Sequence, residues 1–500
     1  MKKLILLLAL VGCMSFVLCI TACNMNDTTP GPKPDDRDTD AGILFYEKED
    51  GTYLARIYPD DEITEIVIPE SRKGKAITEI AYIDSTNNLN TAKIKSITIP
   101  GTVTKIGNSA FENFSGLQSI NIPDSVTEIG EYAFCYCNSL IDIVVPDSVK
   151  TIGEGAFSNC HNLSSVSFGN SITEISKYAF SNCTSLKNIT LTGNICVINE
   201  YAFSSCTKLT ELTIGEKIWE IGNHAFDHCT ALTTINFNAT HMGDLEKNNF
   251  VFASAGISGS GITVNVGKTV NKIPDFLFCP NTTTQSDVPN VSSVIFSADC
   301  VCESIGIAAF ALCENLKNVQ LSELVSSIGN SAFEKTDLTQ IKIPHRITSI
   351  GSFAFKDCQK LNRVFINDIT EWCAISFGDE ANPLKYAEHL YIGDTLVTSV
   401  VIPDNITVIP AYLFSCTSLK NLTIHDGVEY IADNAFNDCP LENVTIPSFA
   451  LSKIPKSELI NATITSGDEI ENYAFANCKN LITVTIPNTL KFIPENIFDN

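Results

Sequence analysis

Apolar residues recur along this chain with a period of 23. Phe111, Phe134, Phe157, Phe180, Phe203 and Phe226 follow one another at that interval, each preceded by alanine. The Ala-Phe element returns at Phe310, Phe333, Phe355, Phe436 and Phe475, with Leu-Phe at Phe278 and Phe414 and Ile-Phe at Phe498. One complete unit reads Leu140, Ile143, Val145, Pro146, Val149, Ile152, Gly153, Ala156, Phe157, Cys160, and Leu163 opens the next. The slots between are mostly polar. Around Ile143 and Val145 the alternation has period two, which predicts a short strand. Pro146 ends it, because proline has no N–H to give to a ladder. Ile152-Gly153 then turns the chain, and Ala156-Phe157-x-x-Cys160 makes a compact corner before the next strand.

Such a unit cannot fold alone. Ordering each of its residues costs on the order of 1 to 2 kcal/mol, while about six large apolar side chains return roughly 1.5 to 3 kcal/mol apiece. Stacked units share their apolar faces and pair their strands. The predicted fold class is therefore a repeat solenoid, with one short parallel β-strand per turn and turns or short helical corners on the other side. About sixteen or seventeen turns at a strand spacing of about 4.8 Å make a rod or arc of roughly 80 Å. That shape offers a long surface and no pocket by default.

These residues resemble the BspA-type leucine-rich repeat family of bacterial surface proteins. The likeness covers residues 63–500, and turns such as SLKNITLTGNICVINEYAFSSC fit the 23-residue pattern at almost every core slot. Residues 369–402, with Trp372, Phe377, Pro383, Leu384, Leu390 and Tyr391, are similar to an irregular repeat of that family. Residues 42–62 are similar to its N-terminal cap. The regular register breaks near 238–261, 280–290, 367–396 and 448–468, where inserts or degenerate turns are expected. The sequence stops at Asn500, where the next cysteine slot would fall, so the last turn is read as a stub or as the end of a fragment.

The first forty residues are of another kind. Lys2 and Lys3 precede an apolar run over residues 4–20, shorter than the roughly 20 residues of a spanning helix. The run ends in Thr21, Ala22 and Cys23, which resembles the lipobox of bacterial lipoprotein precursors. That resemblance implies removal of residues 1–22, lipidation of Cys23, and a secreted protein anchored at the bacterial surface, on an outer membrane or on the outer face of the cytoplasmic membrane. Cleavage before Cys13 and an uncleaved anchor are the alternatives. Residues 23–41 hold Pro, Asp, Thr and Asn without apolar periodicity and read as an extended tether.

Composition narrows the function. With 44% hydrophobic and 18% charged residues, the chain is expected to be ordered almost throughout. Loss of Lys2 and Lys3 with the leader leaves 31 basic against 57 acidic residues, a formal charge of −26. Nucleic acid is excluded as a partner, since a phosphate backbone needs a basic stripe.

Candidate chemistry is sparse. Of 19 cysteines, Cys137, Cys160, Cys183, Cys206 and Cys229 keep the 23-residue period, and Cys313, Cys358, Cys439 and Cys478 hold the same slot. In-register side chains stand about 4.8 Å apart, beyond the Cβ separation of about 3.5 to 4.5 Å that a disulfide needs, so a row of structural thiols is expected. A linear row cannot converge on a metal ion. His224 and His228 flank Ala225 where a metalloprotease helix would carry glutamate. They occupy the slots of Tyr132, Tyr178 and Tyr201 and of Tyr136, Asn159 and Asn182, and read as variable positions. Residues 256–261 (GISGSG) lack the strand, helix and Gly-Lys-Ser/Thr of a phosphate loop. No catalytic residue, metal site or cofactor is assigned, and the chain is read as no enzyme.

What remains is the row of residues between the two core aliphatics of each strand. Asn121, Val144, Ser167, Thr190, Thr213, Asn236, Lys342 and Phe365 are the candidate binding face, extended by Thr98, Gln320, Val401, Thr423 and Thr485. Phe365 and Trp372 are the candidate aromatic anchors, since aromatic residues dominate binding hot spots. The resemblance implies an adhesin-like protein that engages host matrix proteins, host cells or other bacteria. The alternative is a surface lipoprotein that captures glycans, for which exposed aromatic platforms are few.

Overall fold

A computed structural model describes residues 39–40, 42–58, 62–82, 91–279 and 287–498. The leader, Cys23 and residues 24–38 of the tether lie outside the described residues.

Each regular turn contributes two strands where one was expected. In the turn that opens at Leu140, Asp142–Val144 pairs in parallel with Ser165–Ser167 of the next turn, Ile143 opposite Val166. Thr151–Ile152 forms a second ladder, pairing in parallel with Glu128–Ile129 of the preceding turn. Two residues are too few for a period-two alternation to register in sequence, so the Ile-Gly slot reads as a plain turn. The alternation of burial follows from the pleat: Ile143 and Val145 point inward and are buried, while Val144 between them is 65% exposed.

Gly153 shows why the second ladder ends in glycine. A Cβ there would come within 2.3 Å of the Glu131 nitrogen and 2.4 Å of the Gly130 carbonyl carbon, so successive turns touch backbone to backbone. The corner beyond it is tied to the preceding turn by hydrogen bonds from Tyr132 N to Glu154 O (2.8 Å), Phe134 N to Ala156 O (2.7 Å) and Tyr136 N to Ser158 O (3.0 Å). Tyr132 and Tyr136 adopt the left-handed region, at φ 53° and 61°, to present these N–H groups.

The phenylalanines form a spine. From Phe111 to Phe355 each ring stacks on the next, with Phe134 and Phe157 at 5.0 Å and 3° and Phe333 and Phe355 at 5.6 Å and 13°. Beside it runs the row of thiols. Cys137, Cys160, Cys183 and Cys206 are buried, and each Sγ donates to the carbonyl of the phenylalanine one turn earlier, at 3.2 to 3.4 Å. Thr336 takes the cysteine slot after Phe333 and donates to that residue's carbonyl at 2.9 Å. In these turns a small side chain with a donor fills the slot, whereas Phe114 and Ala255 fill it after Phe111 and Phe252.

The irregular segments are mostly turns of altered length. Phe252, in the segment 238–261, stacks between Phe226 (5.4 Å) and Phe278 (5.2 Å), so this stretch is a full turn of the spine. Residues 448–468 also make a turn, through the 3₁₀ segment Ser448–Lys453 and the strand Asn461–Ile464, which pairs with Asn443–Ile446 and Thr483–Thr485. The solenoid has about 18 turns, with parallel strands and little helix. The segment 367–396 carries the helix Ile369–Cys373, capped by the Asp368 carboxylate at 2.8 Å from Glu371 N, and returns to the ladder at His389–Ile392. Residues 280–286 of the segment 280–290 lie outside the described residues. At the N-terminal side Ile43–Glu47 and Tyr53–Ile57 form an antiparallel hairpin, and the latter strand pairs in parallel with Lys75–Ala81.

Candidate binding face

The first ladder places the predicted face residues in register. Val144 lies opposite Ser167, Thr98 opposite Asn121, Thr190 opposite Thr213, Thr213 opposite Asn236, and Lys342 opposite Phe365. Gln320, Val401, Thr423 and Thr485 hold the same row in later turns, and the row also takes in Val67, Asn265, Ile295, Tyr391, Thr445 and Thr463. These last were missed because their turns depart from the 23-residue spacing.

Side chains along the row are linked to one another. Asn265 Nδ2 donates to Asn236 Oδ1 at 3.0 Å, and Asn236 Nδ2 donates to Thr213 Oγ1 at 3.3 Å and to Glu211 Oε1 at 3.1 Å. A neighbouring amide ladder runs from Asn461 to Asn443 (2.7 Å) and from Asn443 to Asn421 (2.8 Å). Such links fix the rotamers of polar groups before any ligand arrives, which reduces the ordering cost of binding.

The aromatic anchors are redistributed. Trp372 is 1% exposed and its Nε1 donates to the Leu413 carbonyl at 2.8 Å, so it is a core residue of the irregular turn and no surface anchor. Phe365 lies on the row, stacked on Tyr391 at 4.9 Å and 22°. The exposed tryptophan is Trp219, at 51%, in the polar slot between Ile218 and the second-ladder strand Glu220–Ile221. A tryptophan in a slot that is polar in other turns was the sequence signal for it.

Two of the slots read as variable carry structure. Tyr178, Tyr201, His224 and Phe250 stack in sequence at 5.0, 4.7 and 5.1 Å, a second aromatic column outside the phenylalanine spine. Its recurrence at the slot two before each phenylalanine was legible as a period. Within it, Asp227 accepts from His224 Nδ1 (3.0 Å) and His228 Nδ1 (2.5 Å). Burial pushes the Asp227 carboxyl up, but the two histidine hydrogen bonds outweigh it and hold it below the usual range. The Asp227 hydrogen bond raises His228 against a smaller effect of burial. Among the described residues no group of three His, Cys, Asp or Glu side chains is placed to hold a metal ion. Among them also, no helix is long and apolar enough to cross a membrane.

The pattern of the family described as "BspA type Leucine rich repeat region" matches residues 81–195, 127–255, 159–285, 286–388 and 385–500. A comparison with curated proteins gives no match. Among solved structures, a leucine-rich cell-surface protein from Faecalibacterium prausnitzii is 27% identical, with 68% of this chain and 93% of that one covered and a TM-score of 0.37. A leucine-rich repeat protein from Bacteroides ovatus is 25% identical over 68% of this chain and 98% of its own, with a TM-score of 0.36. A leucine-rich repeat protein of T. pallidum is 28% identical over 39% of this chain and 90% of its own, with a TM-score of 0.35. TM-scores this low add nothing to the assignment, which rests on the repeat itself: strand, second strand, corner and spine recur in one register across the matched residues, and the chain belongs to the BspA-type leucine-rich repeat family.

Proposed function

We propose that this chain is a lipid-anchored bacterial cell-surface binding protein, adhesin-like in action, that engages host matrix or cell-surface proteins or other bacteria through the outer row of its first ladder. The observation that carries this reading is the row itself. Small hydroxyl and amide side chains stand in register and are tied to one another, as at Thr213, Asn236 and Asn265. An extended face of this kind suits an extended partner. The solved relative from Faecalibacterium prausnitzii is itself described as a cell-surface protein, which supports a surface location. The anchor is Cys23, with residues 24–40 as the spacer that holds the solenoid off the membrane.

The test is binding of the unlipidated chain, residues 24–500, to arrays of matrix proteins and glycans. The control lacks residues 142–164, one full period. Saturable binding to a matrix protein that the control loses is the expected result. Binding to glycans alone would favour the capture of glycans, and turnover of any arrayed substrate would contradict both.

A further inference from the structure

Beside the first ladder, where each corner meets the strand, an open groove of about 450 Å³ runs across the turns. It is lined by Gln118, Ser139, Ile141, Asn162, Ser164, Ser185, Lys187 and Lys208. Neither this lining nor the segments 115–118, 138–141, 161–164, 184–187 and 207–210 that supply it contain an aspartate or glutamate. In a chain of formal charge −24, these five consecutive corner segments are free of acid. The adjoining strand row carries Asp142 and Glu211, and the latter is engaged by Asn236.

The groove also carries two lysines. Several lysines elsewhere are held by acids of a neighbouring turn, as in Lys105 with Glu128 at 2.9 Å and Lys177 with Glu200 at 2.7 Å. Lys187 and Lys208 are exposed, and among the described residues their ammonium groups meet no carboxylate. His161, also exposed, stands one turn before Lys187. Two unneutralised charges, carried on adjacent turns, are thus set among hydroxyls and amides.

We propose that this groove binds an acidic polysaccharide, whose carboxylates or sulfates meet Lys187 and Lys208 and whose hydroxyls meet Gln118, Ser139, Asn162, Ser164 and Ser185. An acidic peptide fits less well, because the backbone here has no strand edge to offer. Ser164 N donates to Ile141 O at 2.8 Å and Thr210 N to Lys187 O at 2.8 Å, so these groups are already spent between turns. Recognition falls to side chains alone, and short side chains with hydroxyl and amide groups match a polyhydroxylated chain. Five turns at a spacing of about 4.8 Å give the ligand a track of about 20 Å. The groove is separate from the strand face of the proposed function, and either can fail without the other.

The test uses the full chain on surfaces bearing hyaluronan (carboxylate only), heparin (carboxylate and sulfate), uncharged dextran and poly-L-glutamate. The expected result is binding to one or both acidic polysaccharides and not to dextran, weakening steeply from low to physiological salt as exposed charges are screened. Lys187→Glu with Lys208→Glu should lower the affinity about tenfold or more, whereas Lys268→Glu with Lys335→Glu, which are exposed lysines off the groove, should leave it unchanged. Hyaluronan and heparin arms that differ identify which anion is read. Equal binding by the two double variants, binding to dextran, no binding to either acidic polysaccharide, or tighter binding to poly-L-glutamate would each overturn the proposal.

Discussion

The thiol of Cys160 donates to the carbonyl oxygen of Phe134, one turn earlier, across 3.2 Å. That contact assigns the cysteine row to structure: the sulfur fills a small buried slot and satisfies a carbonyl at the foot of the spine. Burial pushes the Cys160 and Cys206 thiols up to about 12. A cysteine in the unfolded chain ionises near about 8.5. Stability from these thiols is therefore fully present below about 8.5 and is lost as pH rises toward about 12. The thermal midpoint should fall progressively above about pH 9. At pH 8 iodoacetamide should modify the partly exposed Cys196 and Cys478 and spare Cys137, Cys160, Cys183, Cys206 and Cys229 until denaturant is added. Modification of Cys160 at the rate of the unfolded chain would contradict the assignment.

Gly153→Ala should destabilise the protein by about 1 to 3 kcal/mol, because the new methyl group has only backbone to displace. Gly101→Ala, where nothing lies within 4 Å of the added Cβ, should leave the thermal midpoint nearly unchanged. Equal effects of the two substitutions would argue against backbone contact between turns.

The protein has two tryptophans, and they should behave oppositely. Acrylamide should quench the fluorescence of Trp219, 51% exposed, in a Trp372→Phe variant. In a Trp219→Phe variant Trp372, 1% exposed, should be shielded. Trp372→Ala should cost roughly 3 to 5 kcal/mol, as for a large core aromatic, and Trp219→Ala little.

Asp227 joins His224 and His228, and its contribution should depend on pH with a definite sign. The His228 pKa is raised, so its stabilisation is complete below about 6.5, the ordinary histidine value, and is lost as pH rises through the raised value. The Asp227 pKa is lowered, so its own contribution is present above about 3.9 and disappears at lower pH. Asp227→Asn should therefore depress the thermal midpoint most at about pH 5 to 6 and less at about pH 8. A pH-independent difference would show that His228 is not a charged partner of Asp227.

Much of this architecture was legible because a solenoid repeats its physics. The slots of Phe157, Cys160 and Ile143 meet the same neighbours in each regular turn, so one period of apolar slots states the core of those turns. What escaped lay where that regularity fails or is too short to see. The pair Thr151–Ile152 is too brief to read as a strand, and Phe252 sits 26 residues after Phe226 and so fell out of phase with the rest. The stack of Tyr201 on His224 was periodic, but its members differ in chemistry and were taken for a variable slot. The face residues were found by alternation alone, whereas the acid-free groove near Lys187 and Lys208 depends on bringing together residues a full turn apart.

The central claim, binding by the outer row, is tested most directly by making the row unable to bind while leaving the fold intact. Thr190 and Thr213 lie opposite each other in neighbouring turns. Thr190→Arg with Thr213→Arg should preserve the thermal midpoint and abolish binding to whichever matrix protein the unaltered chain retains, measured by surface plasmon resonance. Undiminished binding by this folded variant would contradict the account.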